Sequence, residues 1–313
     1  MASQHVLAAR EAGFSIAAIA SRPESDEVDR FALVHGIENV FYDPWRMIES
    51  PGWDALVVAV PPDVALPYAL AGVGTGRWVL AEKPLAVDPA PLRDAADCCD
   101  RLVVGYNRRF YSTVSELKSF LDGGGPCLVQ VSIPESTPLN AEGQPNMSNV
   151  LTNSVHMLDL TNYLLGETDS AVSSRVPSQE LCSSVVTVKQ TANGHLCTQV
   201  FSWNAPANFS VTVDRGDERL VLLPIEAIKR YRGMEVGASP HGSALRMYQP
   251  RLAAESWLGP SPGNIKPGLV EQATEFIQLV TGQLQTPMRL ATTVDALRAL
   301  SEAEAILAVA QGG

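Results

Sequence analysis

The sequence predicts a parallel α/β domain followed by an α+β domain, with the change at about residue 105. Up to that point, apolar runs typical of strands buried on both faces alternate with helical patterns, as in a doubly wound parallel sheet. Beyond it, the strand-like runs carry polar residues at alternate positions, which is typical of a largely antiparallel sheet with one face in water. We therefore expect domains over residues 1–105 and 106–313.

The elements of the first domain follow from local patterns that alternate between helix and strand. The opening run HVLAAREAG is an amphipathic helix closed by Gly13, and the next helix begins at Ser25 and stops at Gly36. The predicted strands are FSIAAIAS, WDALVVAVPP, RWVLAEKP and RLVVGYN. Because each is a continuous apolar run bounded by turn residues, we expect each to be buried on both faces.

The second domain combines helices with predicted hairpins. The stretch SSVVTVKQTANGHLCTQVFSW contains two strands around a turn at Gly194, and NFSVTVDRGDERLVLLP contains two more around Gly216. Apolar residues recur at helical spacing in LTNSVHMLDLTNYLLG, and two further helices finish the chain. The Pro and Gly residues of GASPHGSALRMYQPR indicate a loop.

Composition argues against several classes of function. The 313 residues carry a formal net charge of −11 without a basic block, so nucleic-acid binding is not expected. The chain has no run of about 18 apolar residues that would predict a membrane span, and its first residues lack the order of a signal peptide. The five cysteines have no C-x-x-C spacing, which argues against a zinc site or a disulfide framework. We expect a cytoplasmic protein without a metal centre.

Lys83 stands at the end of a predicted strand in the stretch WVLAEKPLA. Pro84 cannot donate to a strand ladder, so the strand ends there and leaves Glu82 and Lys83 at its carboxyl end. Ligands of doubly wound sheets bind at the carboxyl ends of the strands. An ammonium facing such a cleft can donate a proton or a hydrogen bond to a substrate oxygen. The alternative is an ordinary surface lysine.

His156 and Asp159 lie three positions apart on a predicted helix and therefore share one face. His156 could take or relay the proton of a hydroxyl group that is being oxidised. The alternative is a histidine whose hydrogen bonds are satisfied within the core, with Asp159 as a group on the helix surface. A metal site is not expected, because no third ligand is apparent nearby.

The motifs that carry these residues resemble the glucose–fructose oxidoreductase/inositol dehydrogenase (Gfo/Idh/MocA) family. VLAEKPLA is similar to the Glu-Lys-Pro signature of that family, and VVAVPPD is similar to its strand followed by a proline-rich nucleotide loop. VGYNRRF is similar to the end of its fourth strand, and SVHMLDL is similar to its histidine helix. The resemblance covers nearly the whole chain in the right order.

This resemblance implies a Rossmann-like domain that binds NAD or NADP and transfers a hydride to or from a sugar or cyclitol. The implied catalytic residues are Lys83 and His156. The implied cofactor-binding residues are Ala2, Ser21, Arg22, Val60, Pro61, Pro62, Glu82, Lys83 and Asn107. The implied substrate-binding residues are Lys83, Tyr106, Arg108, Thr152, His156 and Asp159. Self-association through the sheet of the second domain is also implied.

The sequence departs from the family pattern in two places. The glycine fingerprint G-x-G-x-x-G should precede the first helix, but Met1 falls inside it, and Ala2 stands at its third glycine. We therefore expect a Rossmann-like sheet truncated at its start, with two strand edges unpaired and cofactor binding weakened. Either the true start lies upstream or the cofactor has been lost. The second departure is Thr152, which stands where the family commonly has an aspartate.

Two functions therefore remain open from the sequence. The first is an NAD(P)-dependent oxidoreductase acting on a sugar. The run GYNRRFYSTVSELKSFLDGGGP favours a nucleotide-activated sugar and a role in bacterial surface-polysaccharide synthesis, because it is most similar to relatives of that kind. The second is a non-catalytic sugar- or partner-binding relative, which is favoured by the missing fingerprint.

Overall fold

The computed structural model describes residues 1–21, 26–96, 99–138, 140–141, 146–166, 168–176, 184–237 and 246–311. The chain divides into two compact units, each made of two stretches of sequence. The first unit is Met1–Phe110 with Pro260–Glu302, and the second is Tyr111–Gly259 with Ala303–Gly313. The predicted helix start at Ser25 and the predicted cofactor residue Arg22 lie outside the described residues.

The first unit begins with strands and helices in alternation. Its elements up to residue 104 are α1 (Ala2–Glu11), β1 (Ala18–Ala20), α2 (Asp26–Val34), β2 (Asn39–Phe41), α3 (Pro44–Glu49), β3 (Ala55–Val58), α4 (Pro62–Gly74), β4 (Trp78–Ala81), α5 (Pro89–Ala96) and β5 (Leu102–Val104). Gly13 and Gly36 follow the first two helices with φ of +100° and +56°, so only glycine is unstrained there. The predicted glycine stops are thus confirmed.

The parallel strands of the described residues fall into two separate sheets. β1 pairs only with β2, whereas β3, β4 and β5 pair in that order. One edge of β1 and one edge of β3 therefore have no described strand beside them, as the sequence analysis expected. The expectation that every strand is buried on both faces is wrong for β1 and β3. All of β1 is half-buried and Val57 is 37% exposed, because the gap leaves their flanks uncovered.

The second unit is built on one large sheet. Its elements are α6 (Ser112–Asp122), β6 (Leu128–Glu135), α7 (Val155–Leu165), β7 (Thr168–Val176), β8 (Ser184–Thr191), β9 (Leu196–Trp203), β10 (Ser210–Arg215), β11 (Glu218–Leu222), β12 (Ala227–Gly237) and β13 (Met247–Trp257). In the described ranges the sheet has the order β13-β12-β11-β10-β6-β9-β8-β7. It is antiparallel except for the pair β6–β9, so the predicted largely antiparallel sheet is confirmed.

Two predicted hairpins are found, and the antiparallel pair of β12 and β13 was missed. β8 and β9 pair antiparallel around Gly194, and β10 and β11 pair around Gly216. The predicted loop GASPHGSALRMYQPR is wrong from Met247 onward, because those residues form β13 and pair with β12. Pro250 is tolerated because β13 is an edge strand of the described sheet and needs no donor on its outer side.

The end of the chain returns to the first unit through α8 (Leu269–Val280), β14 (Ala291–Thr292) and the first part of α9 (Thr293–Gln311). β14 pairs with β5, and the buried Glu275 carboxylate accepts the N–H groups of Met288, Arg289 and Leu290 at 2.7–2.9 Å. The β14–β5 pair, together with the packing of Phe276, Leu279 and Leu290 in one core cluster with Leu80, Val103 and Phe110, explains why Pro260–Glu302 groups with the first unit instead of the predicted domain 106–313.

None of the helices in the described residues combines the length and the apolar character that crossing a bilayer requires.

Candidate active site

Lys83 lies where β4 ends in the first unit. The last hydrogen bonds to the two neighbouring strands are made at this point. Glu82 N–H donates to the Val58 carbonyl, and Gly105 N–H donates to the Ala81 carbonyl, both at 2.8 Å. The following Lys83–Pro84 peptide bond is cis. The predicted placement of Lys83 at a strand end is therefore found, and its side chain is only half-buried.

Glu82 links this strand end to helix α1. Its Oε1 lies 2.6 Å from Nε2 of His5, and both residues are buried. The other carboxylate oxygen, Oε2, accepts the backbone N–H of Lys83 at 3.2 Å. One buried carboxylate thus holds the first turns of α1 and the backbone of Lys83 together.

His5 was not among the predicted site residues, although the sequence contains a signal for it. It lies on the buried face of α1 with Ala8 and Ala9, at helical spacing. A polar side chain on a core-facing helical stripe requires a hydrogen-bond partner. The sequence could reveal that requirement but not that the partner is Glu82, 77 positions away.

Two more cations act on Lys83, namely Arg108 and Lys266. Burial lowers the pKa of Lys83 most, the Glu82 carboxylate raises that pKa, and the charges of Arg108 and Lys266 lower it further. The ammonium is therefore a stronger acid than an ordinary lysine and can give up its proton more readily. We refer to Lys83, Glu82, His5, Arg108 and Lys266 as the Lys83 cluster.

Lys266 reaches this cluster from the returning segment. Its backbone N–H donates to Oε1 of Gln4 at 2.6 Å, and its ammonium lies 3.6 Å from the Met1 sulfur. Helix α1 begins there at Ala2, with no side-chain cap on its first N–H groups and no acidic residue in its first turn. A helix N-terminus beside a lysine forms a positive region suited to an anionic group.

The remaining residues predicted at the cofactor lie at several strand ends of the first unit. Ser21 follows β1 and donates its N–H to the Phe41 carbonyl at 3.1 Å. Val60, Pro61 and Pro62 connect β3 to α4, and Pro62 opens that helix. Asn107 is engaged internally, because its amide nitrogen donates to the Pro267 carbonyl at 2.9 Å.

Gly268 lies so close to Asn107 that only glycine fits at position 268. The φ of Gly268 is +79°, and a Cβ at that position would lie 2.3 Å from the Asn107 carbonyl oxygen. Any other residue would be strained by its backbone and would collide with the turn Asn107–Phe110. Tyr106, the residue before that turn, is buried.

His156 lies in the second unit, at the start of α7. The five residues before the helix, Val150–Ser154, form a π-helical turn, a feature found frequently at functional sites. Both His156 and Asp159 are buried. Thr152, in the turn itself, donates its hydroxyl to the Ser148 carbonyl at 3.0 Å.

Glu135, the last residue of β6, holds this turn in place and was not predicted. Its Oε2 accepts the Ser154 hydroxyl at 2.8 Å and the Asn153 amide at 3.0 Å. Its Oε1 accepts the N–H of Ser136 at 3.0 Å, and the side chain is buried. The carboxylate therefore holds the side chains of Asn153 and Ser154, the last two residues of the turn before α7.

The described residues do not contain a group of three or more His, Cys, Asp or Glu side chains placed to hold a metal ion. The described cysteines Cys99, Cys127 and Cys197 are buried, and they form no disulfide bond among the described residues.

Comparison of the sequence with known proteins gives two matches. Residues 1–106 match the model of an oxidoreductase family with an NAD-binding Rossmann fold, which supports the expected NAD(P) cofactor. Inositol 2-dehydrogenase 4 of Saccharopolyspora erythraea is 34% identical over 206 residues, which cover 60% of this chain and 59% of that protein. The match therefore spans less than two thirds of that relative.

Solved structures share the fold of the whole chain. Levoglucosan dehydrogenase in complex with NADH and L-sorbose has a TM-score of 0.74, is 16% identical, and aligns over 99% of this chain and 93% of its own. UDP-N-acetylglucosamine 3-dehydrogenase of Acidithiobacillus ferrooxidans has a TM-score of 0.72, is 15% identical, and aligns over 99% and 95%. At these identities the similarity concerns the fold alone.

Proposed function

Because the chain belongs to the Gfo/Idh/MocA oxidoreductase family, we propose that it is an NAD(P)-dependent oxidoreductase acting on a sugar or cyclitol. The observation that carries the proposal is the Lys83 cluster at the carboxyl end of β4. It presents an ammonium of lowered pKa, with Glu82 fixed by His5 behind it.

The residues around the cluster fit an anionic dinucleotide. The uncapped start of α1, the ammonium of Lys266 and the charge of Arg108 are all complementary to a pyrophosphate. NAD or NADP, when bound, accepts or supplies the hydride at its nicotinamide ring. Fixed positive charge at this edge of the sheet favours that binding, whereas the gap between β1 and β3 opposes it.

Lys83 is proposed to hold the reacting oxygen of the substrate. During oxidation of a hydroxyl group, negative charge develops on that oxygen as its proton leaves, and a nearby ammonium stabilises the charge. The lowered pKa of Lys83 brings it closer to the range in which a side chain can both donate and accept a proton. His156 is proposed as the second group that handles this proton, with the turn before it held by Glu135.

The substrate is proposed to be a polyhydroxylated ring. The inositol 2-dehydrogenase relative supports a cyclitol. A nucleotide-activated sugar and a role in surface-polysaccharide synthesis stay part of the proposal, supported by the sequence around residues 105–126.

The test has two stages. Titration with NADH and with NADPH, followed by cofactor fluorescence, should give saturable binding with a dissociation constant on the order of micromolar. Turnover is then measured with myo-inositol, levoglucosan and UDP-N-acetylglucosamine. Lys83→Met should lower kcat/KM by about 100-fold or more. Lys118→Met is the matched control, because Lys118 pairs with Asp122 on α6 and should leave kcat/KM unchanged. Equal rates for the two variants would refute the role of Lys83.

A non-catalytic sugar- or partner-binding protein is the second candidate. The separation of β1 from β3 favours it, since the dinucleotide site of this fold is normally built around a continuous sheet. Absence of cofactor binding at millimolar NADH and NADPH, together with binding of one of the three sugars in calorimetry, would support this candidate over the enzyme.

We also propose that the second unit self-associates through the large sheet. Its outer face carries apolar side chains that are partly exposed at adjacent positions, including Leu128 beside Leu196 and Val200 beside Val186. The edge strands β7 and β13 are exposed along their whole length. An exposed apolar face is typical of surfaces that bind another chain.

A further inference from the structure

Asn204 lies where the parallel strands β6 and β9 end together. Glu135 and Trp203, the last residues of these strands, are register partners, and Asn204 is the next residue along the chain. Its N–H donates to the Glu135 carbonyl at 2.8 Å, and its φ is +57°. Asparagine tolerates this left-handed conformation better than most residues with a side chain. Such a backbone persists where surrounding contacts fix it, and these positions cluster at functional sites.

The side-chain amide of Asn204 holds Thr137 at two points. Its Oδ1 accepts the backbone N–H of Thr137 at 3.0 Å, and its Nδ2 donates to the Thr137 hydroxyl oxygen at 3.0 Å. Thr137 is 6% exposed, so these two hydrogen bonds are made largely out of water. A glycine would adopt the same φ without strain but would lose both bonds. Position 204 therefore requires a short side chain that tolerates positive φ and carries both a donor and an acceptor.

The segment Glu135–Thr137, which Asn204 holds from one side, is bonded on its other side to the π-helical turn before His156. The Ser136 carbonyl accepts Nδ2 of Asn149 at 2.9 Å, and Asn149 directly precedes that turn. The Glu135 carboxylate accepts the two donors at the end of the turn. The turn is thus bonded at both ends to one segment. We refer to Asn204, this segment and Asn149 as the Asn204 clasp.

We propose that Asn204 is a positioning residue for His156, acting through the Asn204 clasp. Asn204 fixes the segment Glu135–Thr137, the segment fixes both ends of the π-helical turn, and the turn determines where α7 begins and where the ring of His156 lies. A small displacement of a reacting group lowers its rate strongly, even when the change that causes it is remote. The consequence for turnover rests on the proposed function, whereas the effect on the ring of His156 does not.

The test compares four variants of the full chain. Asn204→Gly keeps the positive φ and removes both side-chain bonds. Asn204→Asp is the rescue variant, because its carboxylate can accept both the N–H and the hydroxyl proton of Thr137. Asn264→Gly is the matched control, since it is the same substitution at a residue of the first unit with φ of +65°. Thr137→Val removes the hydroxyl without touching position 204, so it tests the clasp even where Asn204→Gly does not fold.

The first readout is the ring signal of His156, which does not depend on turnover. The protein is labelled with ¹⁵N in its histidine rings, and the signal is assigned by its loss in His156→Gln. Asn204→Gly and Thr137→Val should shift or broaden this signal, and amide exchange over residues 149–156 should become about tenfold faster by mass spectrometry. Asn204→Asp and Asn264→Gly should leave the His156 signal at its wild-type position.

The second readout is turnover of the sugar that the wild type oxidises. Asn204→Gly should lower kcat by about tenfold or more with KM changed by less than about threefold, and Asn204→Asp should restore kcat to within about threefold. If the wild type oxidises no sugar, the proposed function fails, and the first readout still decides the role of Asn204.

Three results would overturn the proposal. The first is an unchanged His156 signal in Asn204→Gly, or in Thr137→Val where Asn204→Gly does not fold. The second is an equal change of that signal in Asn264→Gly, which would mean that the effect is not specific to the clasp. The third is an equal loss of kcat in Asn204→Gly and Asn204→Asp, because the restored hydrogen bonds would then be irrelevant.

Discussion

The buried pair His5–Glu82 allows a sharp test of how the Lys83 cluster is held. Replacing His5 with alanine leaves the Glu82 carboxylate, which is 8% exposed, without its nearest partner. A hydrogen bond to a charged group contributes about 1.5–3 kcal/mol. Because Glu82 keeps the backbone N–H of Lys83, we expect a loss of about 2 kcal/mol in the free energy of unfolding.

The matched variant is His5→Gln. The glutamine amide nitrogen can take the place of Nε2 and donate to Glu82, so the expected loss is only about 1 kcal/mol. Urea denaturation followed by circular dichroism gives both values. If the enzymatic proposal holds, kcat/KM should follow the same order, because loosening Glu82 also loosens the backbone of Lys83. A loss below about 1 kcal/mol in His5→Ala, or equal losses in the two variants, would refute this account.

Three further predictions follow from the structure. Folding lowers the pKa of Lys83, so between the lowered pKa and the ordinary value of 10.5 the unfolded chain binds more protons than the folded chain. The free energy of unfolding should therefore rise with pH in this interval. Lys83→Met should abolish that rise in urea melts recorded at several pH values. Glu135→Ala should destabilise the chain by about 3 kcal/mol in urea melts, since Ser154 and Asn153 lose their acceptor, and a cost below about 1 kcal/mol would contradict its role. Val200→Glu should shift the mass measured by light scattering toward the monomer without changing stability, whereas an unchanged mass would exclude this face from self-association.

The sequence predicted what depends on local patterns and missed what depends on contacts between distant residues. The placement of Lys83 followed from an apolar run ended by a proline, and the hairpins at Gly194 and Gly216 followed from turn residues. The return of Pro260–Glu302 to the first unit was missed, because helix α8 and the short β14 carry no signal for the strand they will meet. The antiparallel pair of β12 and β13 was missed because Pro250 in an exposed edge strand reads like a loop.

The two units share one arrangement that explains why each proposed reacting residue is rigidly placed. In each, a glutamate at the carboxyl end of a strand is buried and holds the backbone beside that residue: Glu82 directly before Lys83, and Glu135 through the turn before His156. A buried carboxylate is costly unless its oxygens are satisfied, and each of these is satisfied by two or more donors. Loss of one donor leaves the carboxylate buried with fewer hydrogen bonds, whereas loss of the glutamate removes all of them at once. Variants of the donors His5 and Ser154 should therefore impair the reacting residues, but less strongly than variants of the glutamates themselves.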